Sequence, residues 1–191
     1  MFELFTNRLR LIPLELDDFK LFLDDRPSLE KKLGLKSTNE TLWPEFCRMN
    51  EWLSKRYTYL LGVVDWKAVY LWHTLWFIVL QEESRIIGCI FFHGEPNAKL
   101  EIEIGEYLWE NYREKGYGTE TLQKFIEYAF NETEVKTILW RILKSNPCRL
   151  ASQRMVEKMG MVNSHETDTA FLYKLTKHRN STSVVEKMEH C

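Results

Sequence analysis

Residues 111–130, NYREKGYGTETLQKFIEYAF, set Arg113, Lys115, Gly116 and Gly118 directly before an amphipathic helical pattern. A helix start offers unpaired backbone N–H groups and the positive end of the macrodipole. Glycines there remove side chains, so an anion can approach the backbone closely. The two cations would repel each other without an anionic partner. A strand, then R-x-x-G-x-G, then a helix therefore suits a pyrophosphate; a tight turn with no ligand is the other reading of the same residues. Neither of the two usual nucleotide motifs, G-x-x-x-x-G-K-[ST] and G-x-G-x-x-G, occurs in the chain.

Just upstream, Glu101 and Glu103 alternate with Ile102 and Ile104 at the strand period of two, which puts both carboxylates on one face. Either could serve as a general base, and either also reads as solvated strand surface. His73, in WHTLW, is a titrating base near neutrality or a loop histidine packed between Trp72 and Trp76. Trp43, Trp52, Trp66, Trp72 and Trp76 form either an aromatic pocket for an apolar or cationic amine or the filling of a core. Trp66 and Trp72 fall in the least regular part of this segment and, with His73, are the ligand-binding candidates. The cysteines, Cys47, Cys89, Cys148 and Cys191, are far apart and give no metal-ligand spacing, so reduced thiols and no metal are expected.

These residues need elements to hold them. RLRLIPL (8–14) alternates basic and aliphatic side chains before Pro13, as an edge-type strand does, and ELDDFKLFLDD suits a short helix. A helix fragment running into a polar loop follows, and residues 43–69 carry apolar side chains at helical spacing. TLWFIVL (74–80) and IIGCIFF (86–92) read as a hairpin, and KLEIEIGEYLW as a third strand. Leu122, Phe125, Ile126, Ala129 and Phe130 mark one face of the next helix. VKTILWRIL (135–143) is a strand, RLASQRMVEKMG (149–160) a helix with Ala151, Met155 and Met159 on one stripe, and TAFLYKLT (169–176) a final strand. The order is that of a mixed α+β domain over residues 1–176, with 177–191 a polar tail.

The chain has 191 residues, 45% apolar and 28% charged, with a net charge of −2, enough for one sizeable core. That near balance speaks against broad nucleic-acid or membrane-surface binding. No apolar run approaches the ~18 residues of a membrane span, and the first residues do not form a signal peptide, so a cytoplasmic protein is expected.

IGEYLWENYREKGYGTETL resembles the acetyl-coenzyme-A-binding segment of the GNAT acetyltransferase superfamily, which carries [Q/R]-x-x-G-x-[G/A] after its fourth strand. TNRLRLIPLELDDF resembles the opening of the branch that includes the ribosomal-protein-alanine N-acetyltransferases, and ASQRMVEKMGM resembles that branch's later helix, S-x-x-x-x-E-K-x-G-[F/M]. The resemblance spans residues 6–161 and implies a GNAT fold, a central mixed, mostly antiparallel sheet flanked by helices. It implies acetyl-CoA as co-substrate, no metal, and transfer to a primary amine, either a small molecule or a protein N-terminus. Pantetheine would lie along Glu106, Tyr107 and Leu108, and the pyrophosphate on the N–H groups of Arg113, Glu114, Lys115, Gly116, Tyr117, Gly118 and Thr119. Ser152 would stand near the coenzyme's sulfur and protonate the leaving thiolate, unless water does. The Trp-rich segment would wall the acceptor.

Two departures from the branch stand out. Arg149 occupies the position of its usual Asn, so either Arg149 binds a phosphate or Asn146 reaches in from the loop. Val156 replaces the tyrosine acid found in the wider family. A catalytically silent protein that binds coenzyme A as a sensor or assembly module is therefore the alternative. A monomer or homodimer fits the sequence equally.

Overall fold

The computed structural model describes residues 2–37 and 44–177, with backbone alone at 44–50 and 52. The tail expected over 177–191 lies, apart from Lys177, outside the described residues, as do Trp43 and the side chain of Trp52. In chain order the first elements are β1 (Leu4–Phe5), β2 (Leu9–Pro13), α1 (Leu16–Asp24), α2 (Arg26–Lys32), α3 (Pro44–Leu61), α4 (Trp66–His73), β3 (Leu75–Leu80) and β4 (Arg85–Phe92). They are followed by β5 (Glu101–Leu108), a 3₁₀ turn (Glu110–Tyr112), α5 (Tyr117–Asn131), β6 (Thr137–Leu143), α6 (Arg149–Lys158), β7 (Val162–Glu166) and β8 (Ala170–Thr176). The architecture is α+β.

The chain divides into two compact units. The first holds the described residues of Met1–Glu95 and Glu103–Phe125; the second holds those of Pro96–Ile102 and Ile126–Cys191. In the first unit the strands run β1-β2-β3-β4-β5, each antiparallel to its neighbour. β3 has no polar residue and is buried at all six positions, so it needs cover on both faces. Its side chains alternate to supply that contact. Phe77 meets Phe22 of α1 with ring centroids 5.4 Å apart, and Trp76 meets Phe125 of α5 at 5.2 Å. Phe125 also stacks on Phe92 of β4 at 4.3 Å, so the middle of α5 is fixed to the sheet by aromatic contacts.

One extra β4 residue, Ile87, is inserted where the β3 register shifts between Ile78 and Val79, and its carbonyl accepts from the Trp109 N–H at 2.9 Å. Next to this bulge, Gly88 pairs with Leu108; a Cβ there would stand 2.2 Å from the Tyr107 carbonyl oxygen. Only glycine lets β4 lie this close to the end of β5.

In the second unit β8 pairs antiparallel with both β6 and β7. Val156, Met159 and Met161 are its buried residues around α6, together with Tyr173 of β8.

Several expectations need correction. The 8–14 strand is not an edge: β2 lies between β1 and β3, and Pro13 is its last residue, opposite Trp76, where a missing N–H interrupts little. β1 and β7 were not expected; β1 is two residues long, and β7 (VNSHE) is exposed throughout and lacks an apolar alternation. The stripe Ala151, Met155, Met159 on α6 is not its buried face, because Ala151 is exposed and Val156 is buried. Trp66, Trp72 and His73 are not in an irregular segment but in α4.

Candidate active site

β5 leads into the expected cradle, whose backbone is shaped by two left-handed residues, Glu114 (φ 60°) and Gly116 (φ 80°). They turn the chain from the 3₁₀ segment into α5. The Glu120 N–H closes onto the Gly116 carbonyl at 3.1 Å as the first helical bond. Among the described residues, the N–H groups of Gly116, Tyr117, Gly118 and Thr119 donate to no protein acceptor, as a first helical turn dictates. These donors fit a diphosphate.

Arg113 is placed differently from the expectation. Its own N–H donates to the Glu110 carbonyl at 3.1 Å, so it is not part of the open set. Its guanidinium turns back on β5, where Nε donates to the Leu108 carbonyl at 2.9 Å and Nη2 to the Tyr107 hydroxyl at 2.6 Å. Arg113 thus ties the cradle to the two β5 residues expected to meet pantetheine. Lys115 lies over the Tyr112 ring at 5.5 Å, and the Tyr112 hydroxyl donates to Glu83 Oε2 at 2.7 Å in the β3–β4 turn. The loop is held from several sides.

The carboxylates on β5 differ. Glu101 Oε2 accepts from Asn97 Nδ2 at 2.9 Å, while Asn97 Oδ1 accepts from the Lys99 and Glu101 N–H groups. Glu101 is therefore part of a side-chain-built turn. Glu103 is half-buried, and its carbonyl accepts from the His93 N–H at 2.9 Å. Glu106 is the carboxylate that sequence reasoning missed as a proton-transfer candidate. Part of the residue is open, yet Oε1 is sealed from solvent and has no hydrogen-bond partner. Burial pushes its pKa well above the usual carboxylate range. The signal was in the sequence: Glu106 continues the parity of buried Ile102 and Ile104, so a strand reading turns it inward.

His73, expected in a loop, is the last residue of α4 and is buried. Arg56 Nη1 of α3 bonds its Nδ1, and its Nε2 lies 3.2 Å from Glu95 Oε1 after β4. An arginine can only donate, so Nδ1 accepts and Nε2 carries the hydrogen. Burial chiefly, with the Arg56 charge, holds its pKa below the usual value against the opposing pull of Glu95. With both ring nitrogens engaged, His73 fastens α3 and α4 to the β4–β5 connection. Trp72 packs on Phe92 at 4.9 Å, and Trp66 meets Tyr70 edge-on at 5.7 Å.

Ser152, Asn146 and Arg149 belong to the second unit. The Asn146 side-chain oxygen accepts from the Cys148 N–H at 2.8 Å where α6 begins. Arg149 donates to the Lys144 carbonyl at 3.5 Å and lies 6.0 Å over the Phe171 ring. The Ser152 N–H bonds the Cys148 carbonyl at 3.0 Å.

The family model for the acetyltransferase (GNAT) domain matches residues 8–162. The chain belongs to that family and is an N-acetyltransferase. Among its relatives is the uncharacterized N-acetyltransferase YjdG of Bacillus subtilis, 29% identical over 162 residues that cover 85% of this chain and 90% of that protein. The ribosomal-protein-S5-alanine acetyltransferase of Vibrio fischeri has the same fold, with a TM-score of 0.62 at 14% identity over 94% of this chain and 98% of its own. So does a ribosomal L7/L12 α-N-protein acetyltransferase solved with coenzyme A, with a TM-score of 0.60 at 12% identity over 92% of this chain and 98% of its own. Among the described residues no helix is long and apolar enough to cross a membrane, and no group of three or more His, Cys, Asp or Glu is placed to hold a metal.

Proposed function

We propose that the protein transfers an acetyl group from acetyl-CoA to a primary amine by direct attack in a ternary complex. The observation that carries this reading is the open set of N–H groups from Gly116 to Thr119, at the end of a strand bearing carboxylates. Family membership supports acetyl-CoA as the donor. When bound, the coenzyme supplies the thioester whose carbonyl the amine attacks.

The chain's own residues divide the remaining work. Gly116, Tyr117, Gly118 and Thr119 hold the diphosphate, with Lys115 adding charge. Tyr107 and Leu108 offer strand backbone to the pantetheine arm. Glu103 removes the proton that an acceptor ammonium must lose before it can attack, and water returns one to the departing sulfur. Glu101 is engaged by Asn97, and Glu103 lies further along β5 toward the cradle. The acceptor is an amine on a small molecule or a peptide N-terminus; the ribosomal-protein acetyltransferases that share the fold favour including N-terminal peptides in the test.

Calorimetric titration with acetyl-CoA, then free-thiol release against a panel of amines and N-terminal peptides, tests the reading. Binding with thiol release for one amine class supports it and names the acceptor type. Binding with no turnover across the panel favours a silent coenzyme-binding protein. No binding refutes it.

A further inference from the structure

Arg8, in the turn from β1 to β2, reaches the start of α5 across 112 residues of sequence. Its Nε donates to Glu120 Oε2 at 2.7 Å, its Nη2 lies 2.6 Å from the same oxygen, and its backbone N–H donates to Glu120 Oε1 at 3.0 Å. Nη1 donates to the Lys115 carbonyl at 3.1 Å, and the guanidinium lies 4.5 Å over the Tyr117 ring. A Cβ on Gly116 would stand 3.4 Å from Nη2, so the guanidinium borders the loop at that glycine. Thr6 donates to Glu120 Oε1 at 2.5 Å and accepts from the Leu9 N–H, which fixes the turn that carries Arg8.

Glu120 is in the first turn of α5, beside the N–H groups assigned to the diphosphate. Although burial opposes it, the bonds from Thr6 and Arg8 hold its pKa below the usual value, so it is a carboxylate at neutral pH. An unneutralised carboxylate there would repel a bound diphosphate and compete for the helix dipole. Arg8 cancels that charge and, through the Lys115 carbonyl, holds the backbone between the two left-handed residues, Glu114 and Gly116.

We propose that Arg8 is a positioning residue of the coenzyme site, which neutralises Glu120 so that the first turn of α5 can accept the diphosphate. The inference rests on the acetyl-transfer reading above. Its test is calorimetric titration of acetyl-CoA into the parent, Arg8→Ala, Glu120→Gln and the double variant, with circular dichroism to verify folding. Arg8→Ala is expected to bind about tenfold or more weakly, and the double variant to recover most of that loss. Glu120→Gln alone should bind at least as tightly as the parent, and it remains informative if Arg8→Ala does not fold.

A parent that binds with Arg8→Ala unchanged overturns the role of Arg8 and leaves the acetyl-transfer reading standing. A weak Arg8→Ala that the second substitution does not restore also overturns the inference, because loop support and not charge then explains the loss. Glu120→Gln binding tenfold more weakly than the parent overturns it too. Failure of the parent to bind refutes the acetyl-transfer reading and takes this inference with it.

Discussion

Glu106 of β5 and Cys89 of β4 stand in adjacent rows of one antiparallel ladder, and the carboxylate raises the cost of charging the thiol. Glu106 pairs with Ile90 and Cys89 with Tyr107. Burial first, and then the neighbouring Glu106, pushes the Cys89 thiol up to about 12. Glu106 is raised well above the usual carboxylate range by burial. Near neutral pH Cys89 is therefore a protonated thiol.

The Glu106 shift gives a stability prediction with a definite sign. Its folded pKa exceeds the unfolded value, so its favourable contribution is complete below the unfolded value near 4.5 and is lost as pH rises through the folded one. Between those values stability falls by about 1.4 kcal/mol per pH unit from this group. Glu106→Gln should remove that decline. Urea unfolding from pH 5 to 9 should show the variant gaining on the parent as pH rises; parallel curves would show that Glu106 titrates normally.

Cys89 should be inert toward alkylation. A buried thiol raised to about 12 holds almost no thiolate at pH 8. Treating the native protein with N-ethylmaleimide and mapping peptides should leave Cys89 unmodified, with labelling only after denaturation. Native labelling of Cys89 would mean that the β4–β5 ladder opens readily.

Gly88→Ala should destabilise by about 3 kcal/mol or more, because overpacking against backbone cannot relax by a rotamer change. The added Cβ would meet the Tyr107 carbonyl at 2.2 Å. A lowered urea midpoint with an unchanged m-value would confirm this, and a midpoint equal to the parent's would show that β5 yields.

His73 gives the opposite pH dependence to Glu106. Its folded pKa is lowered, chiefly by burial, so as pH falls the unfolded chain binds the proton first. The stability it contributes is present above about 6.5 and is lost as pH falls through the folded value. Protonation would also place a cation against Arg56 and remove the acceptor Arg56 uses. Thermal melts of parent and His73→Gln should lie furthest apart near pH 7.5 and converge toward pH 5. A constant gap would assign His73 a packing role with no titration.

Sequence periodicity was informative where one rule acts locally. Leu122, Phe125, Ile126 and Ala129 are buried as the helical spacing requires, and the unbroken run of β3 is buried throughout. The glycine-bearing turn before α5 was legible too, since a left-handed Gly116 and a helix start are both local. What escaped was joined from afar. Arg8 meets Glu120 over 112 residues, and His73 meets Arg56 and Glu95 over 17 and 22. Arg113 looked like a phosphate ligand because its charge was visible, whereas the Tyr107 hydroxyl and Leu108 carbonyl that hold it become neighbours only after β5 and the turn fold. β7 carries no apolar alternation and forms by pairing with β8.

The final prediction separates the two carboxylates whose spacing put them on one face of β5. Asn97 takes up Glu101 through its amide and shapes the preceding turn with its oxygen, so Glu101 is tied to local structure. Glu103 is half-buried on the strand that leads to the cradle. If Glu103 is the base, Glu103→Gln should lower kcat/KM by about 10²–10⁴ and flatten the acidic limb of the rate profile. Coenzyme affinity, read by calorimetry, should not change, because the N–H groups proposed to bind the diphosphate, Gly116 to Thr119, lie beyond the end of β5. Glu101→Gln should instead lower the melting temperature slightly and leave the rate profile in place. A Glu103→Gln enzyme with the parent's rate and profile would take the proton-transfer role from Glu103 and give it to water or to Glu106, which a Glu106→Gln rate profile would then decide.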